Sequence, residues 1–576
     1  MLNKKSMVKK SIAAVCLLGC AGVLSAKPKK YKTVQPELAV TELAPVERKA
    51  SKPGEGVYYS LFVRSFADSN GDGIGDFNGI IEKLDYLNDG SNLPVDFNAP
   101  QKSSLGITGI WLLPVFKTAS YHGYDVVDYY EVNPDYGTME DFENLVKKCN
   151  ERGISVILDM PFNHSSDKNK WFIESCNSKS PKHDWYNWYT AKGKNDSVLK
   201  AKYWDHPVWN KNPLAFSEED RNNYYSGLYW SGMPDFNVSN AELRKEFKSI
   251  LKFWLDKGVS GFRFDAAMHL YNSAKFENPD SNSLEKTVSF WQEMCSFVKS
   301  EKPDAMMVGE VWDSNGIRSE YIKAIGSVFH FDMGTKIISI IQNKKSGTNS
   351  LASSLISNYE EYKEKNPDYI DCPFLTNHDQ TRLALQLKNN PEAIKLAASM
   401  YMFSEGIPFI YYGEEIAMNG AKPDEQIRTP FIWSAEKNNK NQTSWITSKY
   451  NKNTIPQDEQ NKDKNSILNF YKQIISVKKF SPPLSHGRME NFETDIKELT
   501  SWKMVSTEEE CIVIFNPSNK EISFLPDDSS MQNFKFLFGT KKTSASIKKD
   551  NSTGNTAVKK IVLPPLSCIV LNKKKL

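Results

Sequence analysis

The 576-residue chain is 40% hydrophobic and 25% charged, enough apolar content to bury a large core shared by two or three domains. Its formal charge of +3 comes from residues 1 to 20, which hold four lysines and no acid; the rest carries 69 basic and 70 acidic residues, so nucleic acid is excluded as an electrostatic partner. The eight cysteines show neither metal-ligand spacing nor a disulfide framework.

In chain order, Met1 to Lys10 is basic and Ser11 to Ala26 is apolar and small, too short to span a bilayer and shaped like a secretory signal over 1–26. Leu17-Leu18-Gly19-Cys20 resembles a lipobox, which would put a lipid on Cys20 and anchor an exported protein to a membrane by that lipid alone; a plain cut after Ala26 is the rival. Residues 27–55 are rich in Lys, Pro and Ala without apolar periodicity and read as a flexible tether.

From Gly56 onward, apolar strand-like runs alternate with helical patterns, as in a parallel sheet of βα units. Eight strands are expected: Val57 to Phe66, Ile107 to Val115, Ile154 to Met160, Val259 to Phe264, Ala305 to Val311, Ser327 to Asp332, Cys372 to Leu375 and Ile407 to Tyr412. Helix starts are marked at Thr138-Met139-Glu140-Asp141 and at Ser239-Asn240-Ala241-Glu242, with stops near Gly153 and Gly258. The fold class expected is α/β: a (β/α)8 TIM barrel over 56–163 and 239–480, a small domain inserted after strand three over 164–238, and a C-terminal β-sandwich over 481–576. The aromatic content is 12%, with many of these residues between 171 and 236, a supply of flat surfaces that core packing and sugar stacking would both use.

In a barrel, groups just past each strand gather on one face. Here those positions hold Tyr121-His122-Gly123-Tyr124-Asp125, Asp159 and Asn163-His164, Arg263 and Asp265, Glu310, and Asn377-His378-Asp379. Alternation along Val259 to Phe264 sends Arg263 and Asp265 the same way, and a buried carboxylate needs such a cation. A structural ion pair explains those two alone, but not so many polar groups on unconnected segments. Asp265, Glu310 and Asp379 are carboxylates, and glycoside hydrolysis needs two, one as nucleophile or base and one as proton donor. Zinc is the competing reading, unsupported by any His or Cys spacing.

The motifs GITGIWLLP (106 to 114), DMPFNH (159 to 164), MPDFN (233 to 237), GFRFDAAMH (261 to 269), GEVW (309 to 312) and FLTNHD (374 to 379) occur in order, and in them the chain resembles glycoside hydrolase family thirteen, the α-amylase family. The resemblance implies that Asp265 is the nucleophile, Glu310 the general acid and then base, and Asp379 a grip on the distorted sugar. It implies that His122, Tyr124, His164, Arg263 and His378 line the subsite of the reacting glucose, with Tyr124 stacked on it. Arg428 in IRTPFIW resembles a segment of the α-glucosidase side and with Asp125 would close the site around a chain end. MPDFN resembles the MPDLN form of lipoprotein-type members intermediate between oligo-1,6-glucosidases and neopullulanases, with Phe236 as a departure; Met268 is another, standing where many α-amylases have lysine.

The stretch Asp68-Ser69-Asn70-Gly71-Asp72-Gly73-Ile74-Gly75-Asp76 places oxygens at alternate positions like the first part of a calcium loop, but Gly79 stands where an EF-hand has its glutamate. By resemblance to the oligo-1,6-glucosidase-like members, Asp68, Asn70, Asp72, Asp76 and the Ile74 carbonyl would bind Ca2+. The resulting expectation is a monomeric, exported retaining enzyme acting on α-glucosidic, mainly α-1,4, bonds of starch-like glucans. An α-1,6-glucosidase, a transglycosylase and a catalytically silent carbohydrate-binding relative are the alternatives.

Overall fold

The computed structural model describes residues 33–34, 54–193, 196–271, 282–344, 350–436, 439–526, 531–540, 542–549 and 556–575. The signal segment 1–26 with Cys20, and most of the 27–55 tether, lie outside the described residues. Among those described, no helix is long and apolar enough to cross a membrane.

Eight parallel strands form one sheet: β1 (Tyr58–Leu61), β2 (Gly109–Leu112), β3 (Ser155–Met160), β4 (Gly261–Phe264), β5 (Met306–Gly309), β6 (Ser327–His330), β7 (Ile370–Pro373) and β8 (Phe409–Tyr411). They pair in chain order from β1 to β7, and β8 returns to the open edge of β1. The ring closes through the Ile407 N–H, which donates to the Asp371 carbonyl at 2.9 Å. Gly406 permits that approach: at φ +95° its backbone is left-handed, and a Cβ there would stand 2.3 Å from the same carbonyl. Apart from Ile370 at the rim, the strand residues are buried, which is why the strands read as near-continuous apolar runs.

All eight expected strands are present; seven are shorter than the sequence suggests, and β7 keeps its length but lies two residues earlier than Cys372 to Leu375. β1 stops at Leu61 and Val63–Phe66 coils into one helical turn. Strand propensity runs on through Phe66, but the ladder partners end at the barrel mouth and pairing ends with them. β6 likewise stops at His330, where Phe331 begins a helix.

Helices cover the outside. α1 (Met139–Glu151) starts in a full capping box between Thr138 and Asp141. α2 (Ala241–Asp256) is capped by Asn240, whose side chain accepts from the Glu242 and Leu243 N–H groups. α3 (Ser283–Glu301), α4 (Asn315–Ile325), α5 (Phe331–Asn343), α6 (Ser350–Lys365), α7 (Pro391–Met402) and α8 (Ile467–Phe480) complete the coat.

Between β3 and α2 lies a small three-stranded antiparallel sheet, Trp209–Lys211, Asn223–Ser226 and Trp188–Thr190, over its own cluster of Val208, Trp209 and Leu228. Phe236 roots this insert in the barrel wall, fully buried and 5.3 Å from Phe247, which stacks on Phe162. Beyond α8, Arg488–Asn491, Thr500–Val505, Glu509–Asn516, Ser567–Lys574 and Lys535–Gly539 make a five-stranded sheet. A second sheet, to which Thr33–Val34 adds an edge, faces it across Ile512, Ile514, Ile569, Leu571, Val558 and Ile561. The alternate residues Trp502, Val513, Phe515 and Val570 belong to the barrel's core instead. The five-stranded sheet is therefore dry on both faces, one against its partner sheet and one against the barrel.

Candidate functional site

Alternation along β4 turns Phe264 outward against Trp291, 4.4 Å between rings, and Arg263 inward. Arg263 is 1% exposed and holds three carboxylates: Nη1 lies 2.6 Å from Asp159 Oδ1 and 2.6 Å from Asp265 Oδ1, and Nη2 lies 2.8 Å from Glu310 Oε2. Asp159 stands directly opposite Arg263 in the β3–β4 register, and the Trp111 indole N–H donates to it at 3.2 Å. The guanidinium also lies 5.0 Å from the Trp111 ring. Glu310 is fixed from a second side by the Ala266 N–H at 2.9 Å, and Ala266 takes φ +46° to deliver it.

Three carboxylates around one buried cation cannot all be comfortably ionised. Burial pushes Asp159 up to about 6 against the opposing pull of Arg263, and it raises Asp265 well above the carboxylate range, with Glu310 and Asp159 adding to the rise. Arg263 is itself held charged, its neighbours' negative charge overcoming burial. The cluster thus keeps a proton that a lone carboxylate would lose.

A second group adjoins it. Asp379 Oδ1 is 2.7 Å from Arg428 Nη2, and Oδ2 is 3.2 Å from His378 Nε2. Burial alone would raise Asp379, but His378, Arg428 and Arg263 outweigh it and hold it at about 2. The Tyr124 hydroxyl donates to Asp159 Oδ2 at 3.0 Å, so at 2.8 Å it accepts from the His378 Nε2–H, and that fixes the histidine tautomer. Burial pushes His378 down to about 3, leaving the ring neutral with Nδ1 unpartnered among the described residues. The two rings stack at 5.6 Å and 11°.

The remaining expected residues line the same mouth. His122 lies against Tyr124, accepts its N–H at 3.1 Å, and is lowered by burial. His164, 1% exposed, is pushed down to about 3 by burial and has Nε2 without a partner among the described residues. Asp125 is buried and bound by the Thr118 and Ser120 hydroxyls. Arg428, expected with Asp125 to close the site around a chain end, donates to Asp379 and to the His378 carbonyl, while Asp125 is held by the Thr118 and Ser120 hydroxyls.

Two further site groups go beyond the residues expected to act. Asp159, expected only as a polar strand end, is the shared partner of Arg263, Tyr124 and Trp111. Register gives the signal for it, since Asp159 lies opposite Arg263, but pairing between distant strands is invisible in one chain. Asp235, within MPDFN, is buried and pushed up to about 7 by burial despite bonds from Ser226, Leu228 and Asn163. A cavity of about 760 Å3 between α7, α8 and the C-terminal sheet contains none of these groups, so chemistry rather than volume marks the site.

In the loop 68–76, Asp68 accepts the N–H groups of Asn70, Gly71 and Gly73, while Asp76 accepts those of Ser69 and Gly79. Asn70 and Asp72 accept the N–H two residues on. Asp68 and Asp76 are buried, and no lysine or arginine pairs with them among the described residues. Nor, among the described residues, do three acidic, histidine or cysteine side chains cluster as a metal site.

Comparison with known proteins agrees with this chemistry. The family model described as "Alpha amylase, catalytic domain" matches residues 60–487. The chain is 42% identical over 471 residues to "Alpha-amylase 3" of Dictyoglomus thermophilum, covering 81% of this chain and 86% of that protein. It is 30% identical over 473 residues to a 4-alpha-glucanotransferase of Thermotoga maritima, covering 81% and 96%. The crystal structure of an alpha-amylase from H. orenii superposes with a TM-score of 0.76 at 35% identity, covering 90% of this chain and 99% of that one.

Proposed function

Because the chain belongs to the alpha-amylase family, glycoside hydrolase family thirteen, we propose that it cleaves α-glucosidic, mainly α-1,4, bonds in starch-like oligosaccharides by double displacement. The observation that carries this reading is Arg263 forking between Asp265 at 2.6 Å and Glu310 at 2.8 Å. Two carboxyls held by one guanidinium lie close together, which supports a retaining pair, for which about 5 Å is usual, over an inverting pair, which needs room for a water.

Asp265 is the nucleophile, aimed at the anomeric carbon by its 2.6 Å contact with Arg263, and it attacks as the carboxylate when the cluster's retained proton sits on Glu310. Glu310 gives its proton to the departing glycosidic oxygen and takes one back from the water that releases the glycosyl-enzyme. Asp379, held ionised, accepts hydrogen bonds from sugar hydroxyls. The unpartnered Nδ1 of His378 and Nε2 of His164 are the buried polar atoms a bound sugar would satisfy. Asp265→Asn tests the assignment: turnover should fall ~10³-fold or more with thermal stability retained, and an active variant refutes it.

A transglycosylase on the same acids is the second reading, supported by the 30% identity to a 4-alpha-glucanotransferase. Products from maltoheptaose decide: glucose and maltose favour hydrolysis, longer glucans favour transfer, and release from isomaltose would point to α-1,6 bonds. Asp68, Asn70, Asp72, Asp76 and the Ile74 carbonyl offer an all-oxygen donor set around two buried acids without a cation, which suits Ca2+ with main-chain and water oxygens completing the shell. The ion would rigidify the loop after β1. The signal-like 1–26 segment supports export, with Cys20 as the candidate lipid anchor.

A further inference from the structure

A path of aromatic rings leads from the carboxylates to solvent. It starts at His164, whose ring meets Tyr229 edge-on at 5.5 Å. Tyr229 stands 6.0 Å from His269 and 6.1 Å from Tyr203, and Tyr203 is 5.8 Å from His269. Trp204 ends the path, 4.9 Å from Tyr203 and 5.8 Å from Tyr229. Its inner end lies beside the chemistry, because the Tyr229 hydroxyl is raised by burial and then by the charges of Asp265 and Glu310. Arg428, which lies 5.9 Å from the Tyr121 ring, belongs with Asp379, whereas these rings run from Tyr229 out to the exposed Trp204.

Trp204 itself is an unusual choice. It sits at the tip of the hairpin joining Lys202–Tyr203 to His206–Pro207, in the left-handed region at φ +52°, where glycine or asparagine folds more cheaply. It is also 70% exposed, so an indole is presented to water from a strained backbone. Folding gains little from either feature, and both deliver a flat apolar face beside the route out of the site.

We propose that Trp204, backed by Tyr203, is a stacking platform for the sugar units on the leaving side of the cut, and that it makes the enzyme select glucans extending several units past the bond. The apolar face of a pyranose fits a ring of this kind, and the indole N–H remains free to meet a hydroxyl. The inference rests on the hydrolytic reading above, and the experiment separates the two.

Trp204→Gly removes the ring and relaxes the backbone. The expected result is an unchanged or higher Tm, a KM for maltohexaose raised about five- to tenfold, and kcat within about twofold, with Trp204→Phe restoring most of the loss. Leu525→Ala, at a residue 76% exposed on the C-terminal domain, is the control and leaves KM unmoved. An unchanged KM in Trp204→Gly, or a fall in kcat alone, overturns the proposal. Calorimetry of maltohexaose on Glu310→Gln protein, with and without Trp204→Gly, reads the platform without turnover. Weaker binding in the double variant upholds the platform even if the wild-type chain hydrolyses no glucan, and equal binding overturns it whatever the wild type hydrolyses.

Discussion

Asp159 is the residue on which the site's proton balance turns. It is fully buried, takes one arm of Arg263, and adds a negative charge to Asp265 and Glu310 that only one guanidinium offsets. Removing that charge makes the cluster's retained proton easier to lose. Asp159→Asn should therefore move the alkaline limb of the kcat/KM profile to lower pH, by about one pH unit, since a neighbouring negative charge raises a carboxyl's pKa and its loss lowers it. A limb that stays in place, or moves upward, would show that Asp159 only braces Arg263. Breaking a buried ion pair costs about 3–5 kcal/mol when one partner is deleted outright, so the isosteric amide, whose single oxygen keeps an acceptor for Arg263 or for Trp111 but not for both, is the milder and more informative change.

Among elements, the 68–76 loop has the most to gain from a ligand. It follows β1 and the helical turn Val63–Phe66, and it is fastened to the far end of the chain: the Asp68 N–H donates to the Asn441 carbonyl at 3.1 Å, and the Ser444 N–H to the Gly73 carbonyl at 2.8 Å. Its two buried carboxylates are held by backbone N–H donors but, among the described residues, by no lysine or arginine, so a cation there would add the missing opposite charge. Calcium at millimolar concentration should raise Tm, because binding stabilises the fold by RT ln(1 + [L]/Kd), roughly 2.7 kcal/mol at a hundredfold excess over Kd, and Asp68→Ala should abolish the response. A Tm indifferent to both calcium and chelator would remove the ion from the account. The capping box of α1 and the Asn240 cap of α2 belong to the same scale, and both were readable as short polar motifs because a cap is a contact between residues two or three apart.

For the molecule as a whole, the C-terminal sheet is part of the barrel's support rather than an appendage. Trp502 is fully buried, its indole donates to the Phe403 carbonyl at 3.0 Å, and Phe403 itself lies 5.6 Å from Phe538 of the same sheet. Trp502→Ala should cost about 3–5 kcal/mol, the range for emptying an aromatic site in a core, and should lower the single unfolding transition rather than split it. Two separate transitions in the calorimeter, with the barrel's unmoved, would mean that the sandwich folds on its own account.

Periodicity and composition determined the eight strands, the insert after β3 and the tail of short strands, because alternation and helical spacing are local consequences of which faces are buried. Type and order of the strand-end groups also placed Asp265, Glu310 and Asp379 on one face of a barrel, once the motifs were read in sequence. Tertiary structure alone decided who holds whom: that Arg428 grips Asp379 and leaves Asp125 to Thr118 and Ser120, and that Asp159 shares Arg263 across the β3–β4 register. It also decided where β1 ends, since Val63 to Phe66 has strand-forming residues but no neighbour to pair with. The physical reason is range: propensity and alternation act over a few residues, whereas a buried charge finds its partner across more than a hundred, where packing geometry chooses among chemically equivalent candidates.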